Sequence, residues 1–126
     1  MTSPLSPPEV FQRYLDRIAQ QRWEELSALY AENAIVEHPF GPPAHRRLVG
    51  RAALQAHFAA LRGMGLQMRA TDIVVHQTLD PEVIVAEFTY LGIVTTTGQP
   101  IAWRNVFVMW IRDGLIAESR DYQGDG

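Results

Sequence analysis

The sequence contains no cysteine, and all eleven of its Lys and Arg residues are arginine. The absence of cysteine excludes disulfides, thiolate-bound zinc, iron–sulfur clusters and thiol nucleophiles. The arginines are scattered and the net charge is −3, so the basic patch of a nucleic-acid-binding protein is missing. Any demanding chemistry must therefore come from histidine, acidic, tyrosine or serine side chains.

Long apolar runs and metal-ligand patterns are also missing. No stretch approaches the roughly 20 apolar residues of a membrane span, and the N-terminus lacks the basic flank and apolar run of a signal peptide. The four histidines, His38, His45, His57 and His76, show no metal-ligand spacing. We therefore expect a cytoplasmic protein with no membrane segment, metal or other cofactor.

Apolar spacing divides the chain into a helical first part and a strand-rich second part. With 126 residues, 47% of them hydrophobic, we expect one domain over residues 1–126 with a loose tail at residues 1–5. Helical spacing predicts three helices, beginning at Pro7 after the Ser6 cap, near residue 23 and at residue 50. Strands are predicted at about residues 34–38, 66–78, 82–95, 101–111 and 115–123. This order indicates the α+β class, with a curved antiparallel sheet wrapped around the helices.

The last predicted hairpin decides which side chains face the core. A three-residue loop at residues 112–114 pairs Phe107 with Ser119 and places Asp121 on the same face. A two-residue Asp-Gly loop would instead pair Phe107 with Arg120 and reverse the faces. We favour the first register because it does not bury Arg120 beside Phe107.

Several short segments resemble a known family. Residues 29–41, LYAENAIVEHPFG, resemble the ketosteroid isomerase segment that contains the catalytic aspartate just before Pro-Phe-Gly. Arg13-Tyr14, Gly98-Gln99-Pro100 and Val108-Met109 also resemble that family in position. The element order is similar to the nuclear transport factor 2-like superfamily, which also includes SnoaL-like polyketide cyclases. The resemblance implies a cone-shaped, cystatin-like fold whose curved sheet wraps three N-terminal helices.

The resemblance also implies roles for individual residues. Tyr14 matches the tyrosine that donates a hydrogen bond to the developing enolate oxygen. His38 occupies the place of the aspartate base, and Phe107 the place of a protonated aspartate that is the second donor. Since that pair of donors stabilises the enolate, and losing one is costly, we do not expect an efficient steroid isomerase.

The candidate catalytic residues are His38, Tyr14 and Asp121. A neutral imidazole can accept a proton near pH 7, although His38 could equally be a strand-end histidine bonded to backbone or water. Asp121 could orient His38 or act as the acid or base itself; alternatively, it lies in water at a frayed strand end. Tyr14 lies on the apolar stripe of the first helix, where most tyrosines are core residues.

The candidate substrate-binding residues are mostly aromatic. They are Phe58, Tyr90, Trp103, Asn105, Phe107, Ser119 and His57, with plain core packing as the alternative for the aromatic residues and solvent exposure for His57. The expected partner is a small hydrophobic molecule.

Three functions remain open from the sequence. The first is an isomerase or cyclase that moves a proton on a carbonyl compound, and the second is a binding module without catalysis. An epoxide hydrolase-type enzyme is a weaker third, since only Asn105, Asp121 and Arg104 could hold its water. We also expect a homodimer, formed across an outer sheet face that carries Val106, Val108, Trp110, Ile116 and Tyr122.

Overall fold

The computed structural model describes residues 4–40 and 46–125, with the side chain of residue 125 left out. The helices are α1 (Pro7–Ala19), two 3₁₀ turns (Trp23–Glu25 and Ser27–Leu29) and α2 (Arg51–Gly63). The strands are β1 (Tyr30–His38), β2 (Arg46–Val49), β3 (Leu66–Gln77), β4 (Val83–Val94), β5 (Gln99–Arg112) and β6 (Leu115–Asp125). Within these described ranges, neither α-helix is long and apolar enough to cross a membrane.

Helix α1 begins where the sequence predicts. The Glu9 amide donates to Ser6 Oγ at 3.4 Å, and the Ser6 amide donates to Glu9 Oε1 at 2.9 Å, which completes a reciprocal cap. Pro7 occupies the first turn, where its missing N–H costs nothing. The buried face of the helix consists of Val10, Phe11, Tyr14, Leu15 and Ile18. This face places the Tyr14 ring against the concave side of the sheet.

The second predicted helix is replaced by the two 3₁₀ turns. Trp23, Leu26 and Leu29 are all buried, and they are spaced by three residues rather than alternating between three and four. A spacing of three matches the three residues per turn of a 3₁₀ helix. Tyr30, expected in that helix, starts β1 instead, four residues before the predicted strand.

The six strands form one sheet in the order β2-β1-β6-β5-β4-β3. The predicted α+β class with a curved sheet is confirmed. Four neighbouring pairs are antiparallel, but β1 and β6 are parallel, which a meander does not predict. Strand β2 was expected to be loop, because Pro39 and the glycine and prolines after it indicate a break.

The β5–β6 hairpin has neither of the two registers considered. Its turn is a two-residue Asp113-Gly114 turn with positive φ at both positions, and Phe107 pairs with Asp121. Ala117 is the extra residue that shifts the register. Because one added residue reverses side-chain alternation, the bulge restores the predicted face.

The predicted inner and outer faces of β5 and β6 are therefore correct for some residues and wrong for one. Phe107, Ser119 and Asp121 are all buried on the inner face, as predicted from the wrong register. Ile116 lies before the bulge and is fully buried, so its predicted place on the outer face is wrong.

The N-terminal tail is partly packed. Residues 1–3 of the predicted loose tail lie outside the described residues. Leu5 is partly buried against the core, and its amide nitrogen lies 3.3 Å from the position that a Cβ on Gly114 would occupy. Residue 5 is thus held against the β5–β6 turn rather than loose.

Gly92 allows β3 and β4 to approach closely. A Cβ at this position would lie 1.9 Å from the Gln67 carbonyl oxygen and 2.7 Å from Met68 Cα. Both atoms are backbone, so neither can turn aside, and the strand that carries Tyr90 would have to move.

We expect Gly92→Ala to lower the free energy of unfolding by about 1 to 3 kcal/mol, the usual cost of overpacking. Urea denaturation provides the measurement. Gly63→Ala is the matched control, because nothing lies within 4 Å of the added methyl group, and we expect it to be neutral or slightly stabilising. Equal stability of Gly92→Ala and the unaltered protein would contradict the close approach.

Candidate functional site

A cavity of about 300 Å³ lies between the inner face of the sheet and helices α1 and α2. Its polar and ionisable lining residues are Tyr14, Tyr30, His38, Arg46, His57, Tyr90, Asp121 and Gln123. Its apolar lining residues are Ile18, Val36, Leu54, Phe58, Leu61, Met64, Leu66, Met68, Trp103 and Phe107. The volume is at the lower end of the range for small-molecule pockets.

Asp121 is the acidic residue of this lining, and it is 8% exposed. Ser119 Oγ donates a hydrogen bond to Asp121 Oδ1. Burial disfavours the charged form and raises the pKa of Asp121 to about 7, although the Ser119 hydrogen bond opposes this rise. The carboxyl can therefore gain or lose a proton near neutral pH.

Three buried tyrosines share the cavity with Asp121. Burial, the largest cause, raises the pKa values of Tyr14, Tyr30 and Tyr90, and the nearby Asp121 charge adds to the rise for each. All three phenols thus stay protonated and can donate hydrogen bonds. A hydrogen-bond interaction between the two hydroxyls of Tyr14 and Tyr90 opposes the rise in the pKa of Tyr14 and adds to that of Tyr90, although its geometry at Tyr90 Oη falls short of a full hydrogen bond.

Aromatic packing fixes these rings. The Phe107 ring makes T-shaped contacts with Tyr14 and Phe88. The ring centroids are 6.0 Å apart for Tyr14 and 4.9 Å apart for Phe88. Phe88 also packs against Tyr90 at 5.0 Å. Rings held on several sides lose little further freedom when a ligand binds.

His38 and His57 form a second polar group, with ring centroids 5.3 Å apart. Burial lowers the pKa of His38, and the Arg46 charge lowers it further. Burial, His38 and Arg46 together lower the pKa of His57 to about 4. Both imidazoles are therefore neutral at pH 7, and His38 Nε2 is buried without a hydrogen-bond partner in the described part of the chain.

Strand register brings His38 and Asp121 to one place. In the parallel β1–β6 pair, Val36 is opposite Ser119, and the next inward-facing residues on the two strands are His38 and Asp121. Adjacent strands lie about 5 Å apart. On the other side of β6, Asp121 is opposite Phe107. His38, Asp121 and Phe107 thus lie side by side on the three neighbouring strands β1, β6 and β5.

The structure brings together all but two of the predicted site residues. His38, Tyr14, Asp121, Phe58, Tyr90, Trp103, Phe107 and His57 line the cavity. Asn105 does not: its amide donates to the Trp103 carbonyl oxygen at 3.0 Å, and it borders a groove elsewhere. Ser119 also does not line the cavity, and its hydroxyl donates its hydrogen bond to Asp121. Asn105 and Ser119 therefore do not line the cavity, and their substrate contacts stay predictions.

Sequence reasoning missed three polar lining residues. Tyr30 was assigned to a helix, and Arg46 to a loop, so neither could be placed on the inner face. Gln123, which lies opposite Asn105 on β5, was not proposed for the site. Among the described residues, which leave out His45, no group of three His, Asp or Glu side chains could hold a metal ion.

Comparison with known proteins gives consistent results. The model of the SnoaL-like domain family matches residues 11–119. An uncharacterised PhzA/B-like protein of Pseudomonas aeruginosa is 33% identical over 95 residues, which are 75% of this chain and 67% of that protein.

Solved structures agree as well. The crystal structure of a proposed isomerase from Bacillus subtilis superposes with a TM-score of 0.86 at 26% identity, covering 93% of this chain and 85% of that one. A proposed polyketide cyclase from Pseudomonas putida gives a TM-score of 0.79 at 25% identity, with coverages of 94% and 91%.

The raised pKa of Asp121 predicts a specific pH dependence of stability. A folded-state pKa of about 7, against 3.8 for an ordinary aspartate, means that the folded state holds its proton more tightly than the unfolded state. The free energy of unfolding should then fall by about 2 to 3 kcal/mol between pH 5 and pH 8 because of this group alone. Urea denaturation at both pH values measures it.

Two variants isolate this contribution. We expect Asp121→Asn to lose it, while Asp113→Asn, in the exposed β5–β6 turn, keeps the pH dependence of the unaltered protein. An Asp121→Asn variant that follows the unaltered protein at every pH would contradict the assignment.

Proposed function

This chain belongs to the SnoaL-like domain family, and on that premise we propose that its cavity binds a small, largely apolar carbonyl compound and transfers a proton on it. The reaction class is that of an isomerase or an aldol-type cyclase. The observation that carries the proposal is the buried Asp121 carboxyl, which has a pKa of about 7 and lies among three protonated tyrosines.

The oxygen of the carbonyl group is the part that these residues would hold. Removing a proton next to a carbonyl places negative charge on that oxygen, and buried donors stabilise this charge far better than water does. Tyr14 donates throughout the pH range, and Asp121 donates while it is protonated. Asp121 thereby takes over, from the neighbouring strand, the donor role that Phe107 lacks.

His38 is the proposed base. A base that works near pH 7 must be unprotonated there and must reach the carbon acid. Burial and Arg46 keep His38 neutral, and its Nε2 atom is free of other hydrogen bonds among the described residues. Its neighbour His57 is neutral as well, so among the described lining residues the positive charge near His38 is that of Arg46, on the neighbouring strand β2.

The rate of proton transfer should depend on pH as a narrow bell. It rises as His38 loses its proton, below pH 6.5, and falls as Asp121 loses its proton near pH 7. Deuterium exchange next to the carbonyl of 2-tetralone, followed by NMR, measures the rate without knowledge of the natural substrate. His38→Ala should lower it by about 100-fold or more, and Asp121→Asn should remove the alkaline fall.

His76→Ala is the matched control, because His76 pairs with Glu87 at 2.6 Å outside the cavity. It should leave the rate unchanged. If the rate instead rises through pH 7, survives His38→Ala and is lost in Asp121→Asn, then Asp121 is the base and the assignment to His38 is wrong.

A binding module without catalysis is the second candidate. The replacement of both family aspartates, by His38 and Phe107, favours it. Binding of 2-tetralone without any exchange would support it. Epoxide hydrolysis stays the weaker third candidate, because Arg104 and Asn105 do not line the cavity beside Asp121.

We also propose a homodimer through the outer face of β5 and β6. Val106 is 37% exposed there, and the Arg120 guanidinium lies 4.8 Å above the Trp110 ring. The cytoplasmic location expected from the sequence stays a prediction.

Sedimentation velocity at micromolar concentration should give twice the 14.2 kDa chain mass, because a dimer would cover this apolar face. Val106→Arg should shift the protein toward monomer. Val49→Arg, at an exposed position on the distant edge strand β2, should not. A single 14.2 kDa species for the unaltered protein contradicts the dimer.

A further inference from the structure

Arg46 gives the cavity a positive pole. It is the one cationic side chain among the described residues that line the cavity. It lies on β2 directly opposite His38, and its charge acts on both His38 and His57. Because both histidines are neutral at pH 7, Arg46 supplies the positive charge at that end.

Tyr90, on β4 and four strands away from Arg46 on β2, offers a hydrogen-bond donor to a ligand. Tyr90 is 3% exposed; its hydroxyl interacts with that of Tyr14, but no described group forms a hydrogen bond of good geometry with Tyr90 Oη. A buried hydroxyl with only a poorly formed hydrogen bond is unfavourable, so a ligand oxygen that accepts from it would be favoured. Tyr14 lies beside it and can donate to the same oxygen.

We propose that the ligand is a monocarboxylate: its carboxylate binds Arg46, and its carbonyl or enol oxygen accepts from Tyr90 and Tyr14. This deepens the proposed function, since it assigns a substrate class to the same cavity. Arg46 would be a specificity-determining residue and Tyr90 a further oxyanion donor.

The charge balance selects a single carboxylate. One guanidinium flanked by neutral imidazoles matches one negative charge, and a guanidinium binds a planar carboxylate through two parallel hydrogen bonds. A doubly charged phosphate would leave excess negative charge beside an apolar wall, and Asp121 would resist it further. Arg46 is exposed and thus solvated in the free protein, so an uncharged ligand would gain nothing from its charge.

The test compares 4-hydroxyphenylacetate with its methyl ester by calorimetric titration at pH 6. The phenol oxygen of each probe imitates the enol, and the two differ only in the carboxylate. The unaltered protein should bind the acid at least about 10-fold more tightly, the scale of one charge-assisted hydrogen bond. Arg46→Gln should remove this preference and leave ester binding within about twofold.

Arg47→Gln is the matched control, because Arg47 is the next residue on the same strand and does not line the cavity. It should keep the preference for the acid. Tyr90→Phe should lower the affinity for both probes by a similar factor, which distinguishes the role of Tyr90 from that of Arg46. Melting temperatures of the variants establish that each is folded.

Each outcome bears on a different claim. Equal affinity of acid and ester for the unaltered protein, or equal loss of preference in Arg46→Gln and Arg47→Gln, overturns the carboxylate assignment but leaves proton transfer in the cavity standing. No binding of either probe at millimolar concentration overturns both proposals. Unchanged affinities in Tyr90→Phe overturn its donor role.

Discussion

The burial of one carboxyl group, Asp121, is the constraint on which the site depends. Its place inside the cavity follows from side-chain alternation along β6, which the bulge at Ala117 reverses once to bring Ser119 and Asp121 inward. Ser119 then supplies the hydrogen bond that makes such a position tolerable. A buried ionisable group of this kind lowers stability near neutral pH, and groups with such shifted pKa values cluster at functional sites.

The cavity pushes neighbouring groups toward opposite protonation states. Burial favours the neutral form of every titratable group, which raises the pKa of Asp121 and lowers those of His38 and His57. An acid that keeps its proton and a base that lacks one can then coexist at the same pH, with only one strand step between Asp121 and His38. Arg46 strengthens this separation, because its charge disfavours a proton on either histidine.

Much of this arrangement could be predicted from local patterns. The α1 cap depends on spacing within a single element, the family resemblance implied the aromatic lining, and the predicted hairpin placed Phe107 and Asp121 on one face. The rest depends on contacts between elements. No local signal indicates the parallel β1–β6 pair or strand β2, and consequently Arg46 was missed. The Asp113-Gly114 turn alone would reverse the side chains of β6, and the bulge reverses them again. Ser119 and Asp121 therefore point inward as predicted, although the predicted pairing was wrong.

The protonation state of Asp121 is the central claim, and it can be observed directly. Carbon-13 NMR of the side-chain carboxyl, assigned by comparison with Asp121→Asn, would follow its titration in the folded protein. We expect a midpoint near pH 7 for Asp121. A midpoint near pH 4 would mean that the carboxyl is solvated and ionised at neutral pH, and the proposed acid–base roles in the cavity would have to be abandoned.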